Sequence, residues 1–130
     1  MKALILAAGF GSRLQPLTNE LPKPLFPVLN QPILEHTLHF LSSQGIKEIA
    51  INLHHRPEKI IDYLGNGKDF GVALHYSKEE KILGTAGGIK KLQSFFQGET
   101  FLVINSDIFA DINLNGVLKF HKEKNSKLTL

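Results

Sequence analysis

Four short apolar runs, separated by amphipathic stretches, limit what this chain can fold into more than any other feature of it. Residues 3–7, Glu48–Leu53, Val72–Tyr76 and Phe101–Asn105 are each five or six residues long, the length of a strand rather than a helix. Between them, Ile33–Gln44 carries Leu34, Leu38 and Leu41 at helical spacing and is closed by Gly45. Pro57–Leu64 opens with proline in its first turn and stops at Gly65-Asn66-Gly67. Ile89–Phe96 and the stretch from Leu114 to about Glu123 repeat the helical pattern. Strands alternating with helices imply βαβ units with right-handed crossovers, hence a mostly parallel sheet covered on both faces. The expected architecture is a Rossmann-like three-layer α/β sandwich. Phe101–Asn105, FLVIN, is apolar almost throughout and predicts a central strand buried on both faces.

Ligands of such sheets bind beyond the carboxyl ends of the strands. Three segments fall there: Gly9-Phe10-Gly11-Ser12-Arg13-Leu14 after the first run, Gly84-Thr85-Ala86-Gly87-Gly88 after the third, and Ser106-Asp107 after the fourth. Glycines let the chain turn sharply and leave backbone N–H groups bare, which suits phosphate oxygens. Arg13, and Lys23 between Pro22 and Pro24, add fixed positive charge on the same side. That combination calls for a polyphosphate. The prolines from Pro16 to Pro32 break any long helix and predict an ordered loop across the strand ends. Gly84–Gly88 reads as a second glycine-rich bend.

Two common phosphate loops are excluded by spacing. The dinucleotide fingerprint G-x-G-x-x-G needs a glycine where Leu14 stands, and the P-loop needs a lysine after its last glycine. The pattern here is G-x-G-x-R-L, with an arginine fork at the mouth of the loop.

Composition removes other classes. The chain of 130 residues holds no cysteine, so disulfides, thiolate zinc sites and cysteine nucleophiles are all excluded. Its net charge of +3 is spread along the sequence, with two tyrosines and no tryptophan to stack on bases, which argues against nucleic acid as a partner. No apolar run is long enough to span a bilayer, and neither a membrane nor an export signal is expected; a cytoplasmic address follows. Lys119, Lys122, Lys124 and Lys127 read as a solvated helix end, and the pairs His36/His39 and His54/His55 lack a third metal ligand at a recognisable spacing.

The stretch LILAAGFGSRLQPLTNELPKPLFPVLNQPIL, reinforced by LGTAGGIKK and FLVINSDIF, resembles the signature of the sugar-1-phosphate nucleotidylyltransferases, over essentially the whole chain. The resemblance implies transfer of a nucleoside monophosphate from an NTP to a sugar 1-phosphate, forming an NDP-sugar and pyrophosphate. It implies that the backbone of Gly9, Gly11 and Ser12 surrounds the triphosphate, and that Arg13 holds the leaving pyrophosphate. Lys23 would meet the phosphate being transferred or its attacking partner, and Asp107 would bind catalytic magnesium. Leu6, Ala7 and Ala8 fall where the family's backbone meets the base, together with Glu79 and the bend at Gly84-Thr85. Alternatives are a catalytically inactive nucleotide-sensing or regulatory subunit of the same fold, and a cytidylyltransferase for a phospho-alcohol. The chain departs from the family pattern at Ala8 and Ser106, where glycine is common.

Physical chemistry supports these roles independently. Joining two polyanions asks for positioning and charge neutralisation rather than covalent catalysis, and magnesium takes hard oxygen ligands. Glu79 lies in Lys78-Glu79-Glu80-Lys81, where it reads as a solvated charge. Facing a base instead, a carboxylate would accept from guanine N1–H and its 2-amino group, which favours GTP over UTP. Asp111 reads as a turn or capping residue, and Phe95, Phe96 and Phe101 as core. Ser126–Leu130 starts a strand-like alternation and stops. The expectation is that residues 1–130 are the N-terminal part of a single nucleotidyltransferase domain, cut inside its fold and with little or no transferase activity alone. The sugar and any homo-oligomeric state stay open.

Overall fold

The computed structural model describes all residues from Met1 to Leu130. In chain order the elements are β1 (Lys2–Leu6), β2 (Pro27–Val28), β3 (Gln31–Pro32), α1 (Ile33–Ser43), β4 (Glu48–Leu53) and α2 (Pro57–Leu64). They continue with β5 (Ala73–Lys78), α3 (Gly84–Lys91), α4 (Gln93–Phe96), β6 (Phe101–Asn105) and α5 (Leu114–Glu123). The proline-rich loop is held by single 3-10 turns at Ser12–Leu14, Leu17–Asn19 and Lys23–Leu25, and by the antiparallel β2–β3 pair.

The other four strands form one parallel sheet in the order β5-β4-β1-β6. Side chains alternate across it, as the pleat requires. Ala3, Ile5, Ile49, Ile51 and Leu53 join Leu34, Leu38 and Leu41 of α1, Ile60 and Leu64 of α2 and Leu114 of α5 in a cluster of 15 buried residues. On the opposite face Leu4 and Ala50 meet Leu92 and Phe96 in a cluster of four. Burying one such aliphatic side chain is worth about 1.5–3 kcal/mol, so the α1–α2–α5 face supplies most of the hydrophobic stabilisation. The three-layer α/β sandwich is as expected.

Local chemistry explains the clean helix ends. Past α1, Gly45 at φ 81° turns the chain back, its N–H donating to Ser42 O at 3.1 Å and the Ile46 N–H to Leu41 O at 3.0 Å. This is the Schellman arrangement, sealed by the buried Leu41 and Ile46 side chains.

Four expectations need correction. FLVIN is an edge strand, paired with β1 alone, and its apolar residues are only half-buried. Its composition reflects packing on both faces, with Leu102 and Ile104 against one cluster and Phe101 and Val103 against the other, and carries no information about lateral pairing. Gly84–Gly88 is the first part of helix α3 rather than a bend. Ser126–Leu130 forms no strand; it folds back on α5, Ser126 N–H donating to His121 O and Thr129 Oγ1 lying 2.9 Å from His121 Nδ1. The cap of α5 is Asn113, whose Oδ1 accepts from Gly116 N–H, and not Asp111.

Candidate active site

Leu6 at the end of β1 stands level with Asn52 of β4 on one side and Asn105 of β6 on the other. Chain order runs from β1 outward to β4 and β5 on one flank and returns to β6 on the other, so a switch point lies beside β1. A cleft of about 310 Å³ opens there.

The Gly9–Leu14 loop forms its floor. Gly11 adopts φ 63°, which glycine takes without steric cost, and caps the turn over Ser12–Leu14. A Cβ at Gly11 would stand 2.8 Å from Thr18 Cγ2 and 3.3 Å from Lys23 Cβ, so the loop lies flat against both. Thr18, 1% exposed, donates its hydroxyl to Gly11 O at 3.2 Å. The Thr18 carbonyl in turn accepts from His55 Nε2 at 2.8 Å, which fixes that ring's proton on Nε2. Gly9 has open space beside it.

Charge gathers at the mouth. Buried Pro24 and Leu25 anchor the turn that carries Lys23. Its Nζ donates to Asp107 Oδ2 in an ion pair across 84 residues of sequence, with both side chains about a third exposed. Asp107 is delivered by β6, whose ladder extends one residue further as Ser106 N–H donates to Leu6 O at 3.0 Å. Arg13 is exposed and lines the same cleft.

The opposite wall is built from buried polar groups. Asn52 Oδ1 accepts from Ala7 N–H and its Nδ2 donates to Glu79 Oε1, both at 2.9 Å. Glu79 Oε2 accepts from Leu83 N–H at 2.9 Å, where the chain enters α3. Gly88 of α3 packs on this contact, with room for no side chain: a Cβ there would be 2.9 Å from Asn52 Nδ2.

Of the residues singled out in the sequence, Leu6, Ala7, Ala8, Gly9, Gly11, Arg13, Lys23, Gly84, Thr85 and Asp107 line the cleft together. Ser12 and Glu79 do not. Glu79 is 5% exposed, which overturns its reading as a solvated charge. Ser106, placed beside Asp107 at the ligand edge, lines the cleft as well, and sequence reasoning missed Asn52, Asn105, Ile82 and Pro24. The one signal for Asn52 was an amide between the apolar Ile49–Ile51 and Leu53.

The fold and cleft define an α/β sandwich with a cleft at its switch point whose mouth carries Arg13 and the Lys23–Asp107 pair. Over residues 2–130 the chain matches the family model described as nucleotidyl transferase, and it belongs to that family. It is 40% identical to a UTP–glucose-1-phosphate uridylyltransferase of Synechocystis over 141 residues, covering all of this chain and 36% of that protein. It is 38% identical to a mannose-1-phosphate guanyltransferase of Yarrowia lipolytica, covering all of this chain and 37% of that protein. A solved Bacillus anthracis structure assigned as a glucose-1-phosphate thymidylyltransferase superposes with a TM-score of 0.87 at 33% identity, over 95% of this chain and 51% of that one. The chain thus spans little more than a third of these curated relatives. The resemblance to sugar-1-phosphate nucleotidylyltransferases holds along its whole length.

Proposed function

We propose that this chain carries the nucleoside-triphosphate side of a sugar-1-phosphate nucleotidyltransferase, with GTP or UTP as donor. The observation that carries the reading is the meeting of the Gly9–Arg13 loop, Lys23 and Asp107, from three separate segments, around one cleft at the switch point. In the reaction a sugar-phosphate oxygen forms a bond to the α-phosphorus while the bond from that phosphorus to the bridging oxygen breaks. The electron pair leaves with pyrophosphate. Arg13 neutralises that leaving group with a planar fork suited to phosphate oxygens. Lys23, held at the mouth by Asp107 in the free protein, turns its ammonium to the phosphate being transferred or to its attacking partner. The bare backbone at Gly9 and Gly11 lets the triphosphate approach closely.

Magnesium fits the donor set. Asp107 is one hard, part-exposed carboxylate, and the remaining ligands would be phosphate oxygens and water, as is usual for this ion. Held by Asp107, magnesium would neutralise triphosphate charge. Glu79 gives no preference for GTP over UTP, because both its carboxylate oxygens are already engaged inside the protein.

The test is a binding panel of GTP, UTP, CTP and ATP with the 130-residue chain, with and without magnesium, alongside pyrophosphate release with several sugar 1-phosphates. Magnesium-dependent binding of GTP or UTP is expected. Little turnover is expected, since the chain spans little more than a third of its relatives. Absence of binding, or selective binding of CTP, would overturn the reading, and brisk pyrophosphate release would overturn its restriction to the nucleotide side.

A further inference from the structure

We infer that Asn52 and Glu79 form a positioning pair that locks the end of β1 to the start of α3, and that Glu79 sets the cleft wall through Asn52 instead of reading the base itself. The ligand in this inference rests on the proposed function; the lock does not.

Asn52 is 3% exposed and Glu79 5%, and no buried side-chain polar atom in the molecule lacks a partner. The amide has a single workable orientation: its oxygen must face the Ala7 N–H and its NH₂ the Glu79 carboxylate. Glu79 is fixed at every polar atom. Its side chain holds Asn52 Nδ2 and Leu83 N–H, its own N–H donates to Leu53 O at 2.7 Å, and its carbonyl accepts from His54 Nδ1 at 2.7 Å. The network ties the ends of β1, β4 and β5 to the entry of α3. Gly88 closes over it, since a Cβ there would press on Asn52 Nδ2 at 2.9 Å and on Glu79 Oε1 at 3.2 Å.

The consequence for the cleft is direct. Ala7 spends its N–H on Asn52, so the next residues, Ala8 and Gly9, leave β1 in a fixed direction along the cleft. Leu83 is tethered just before Gly84 and Thr85, which line the other side. Of the pair, Asn52 alone reaches the wall. A buried network that is fully satisfied is rigid, and one left half-satisfied is costly.

The pair can be inverted by substitution. Asn52→Asp sets two carboxylates against each other. Glu79→Gln must turn an NH₂ towards either the Asn52 NH₂ or the Leu83 N–H, and one donor then faces another. In the double variant every bond returns: the new carboxylate accepts from Ala7 N–H and from the new amide, whose oxygen accepts from Leu83 N–H.

The experiment measures amide hydrogen exchange at Ala7 and Leu83 in the 130-residue chain, together with dissociation constants for GTP and UTP in magnesium. Each single variant should speed exchange at both amides and weaken both nucleotides by about tenfold or more, the cost of a mismatched buried hydrogen bond. The double variant should return both readouts to within about threefold of the parent, the coupling expected of directly contacting groups. A Glu79→Gln variant that loses GTP alone, with UTP binding and exchange unchanged, would show that Glu79 reads the base and overturn the inference. So would a double variant no better than the worse single. Restored exchange in a chain that binds no nucleotide would uphold the lock and sink the functional reading.

Discussion

The two flanks of β1 are built to different standards. On the β4–β5 flank, Ile49, Ala50, Ile51 and Leu53 have no exposed surface, and Gly87 and Gly88 of α3 have no space beside them. A Cβ at Gly87 would lie 2.7 Å from Leu83 Cβ. On the β6 flank the strand is half-buried and Lys23 and Asp107 pair at the surface, and at the cleft mouth beyond β1 Gly9 borders open space and Arg13 is exposed. The packed flank sets geometry and the open flank carries charge. Changes on the first should appear as lost stability, with affinity following where the Asn52–Glu79 contact is disturbed, and changes on the second as lost ligand affinity alone.

The largest effect expected is on the open flank. Arg13→Ala should weaken nucleoside triphosphate binding by about a hundredfold through the loss of charge-assisted hydrogen bonds, measured by calorimetric titration. Its melting temperature should stay close to that of the parent, since an exposed loop arginine buries little. Next comes Gly88→Ala, which overpacks a buried contact and should cost about 1–3 kcal/mol in a denaturant melt. Gly9→Ala is the counterpart: stability within about 0.5 kcal/mol of the parent, because the methyl meets nothing, but triphosphate affinity reduced several-fold as it crowds the approach. Equal stability losses from the two glycine substitutions would erase the distinction between the flanks.

The smallest effect belongs to the packed flank and to alkaline pH. Tyr76 on β5, which donates its hydroxyl to Gly65 O at 2.7 Å, has its phenol pushed up by burial from the usual 10.0 to about 12. Tyr63 is also raised, first by its hydrogen bond to the Glu35 carboxylate and then by desolvation. A folded-state pKa above the unfolded one means that the folded chain binds the proton more tightly. The stabilisation from Tyr76 is therefore complete below about pH 10 and lost as pH rises towards 12. Ultraviolet titration of the chain's two tyrosines should find Tyr76 still largely protonated at pH 10 and the Tyr63 midpoint above the usual 10.0. Ordinary titration of both near 10 would contradict this packing.

Much of this was legible in the sequence. β4, α2, β6 and α5 start and stop where glycines, prolines and apolar periodicity place them, because each boundary has a local cause. The residue types of the loop, Lys23 and Asp107 were enough to expect that they share one cleft, since topology brings strand ends together. What escaped depends on non-local contact. The apolar character of FLVIN could not reveal that only β1 pairs with it. The glycines at 84–88 suggested a bend by their poor helix propensity, yet they open α3, where Gly88 faces the Asn52–Glu79 contact with room for no side chain. Glu79 looked solvated between lysines, and its burial rests on a partner 27 residues away.

The central claim, that Gly9–Arg13, Lys23 and Asp107 make a triphosphate site, is tested most directly by calorimetric titration of the 130-residue chain with GTP and UTP. The corresponding monophosphates and the Arg13→Ala variant serve as references. The prediction is binding that requires the triphosphate and magnesium and is largely lost in the variant. Equal affinity for mono- and triphosphates, or binding indifferent to Arg13, would contradict it.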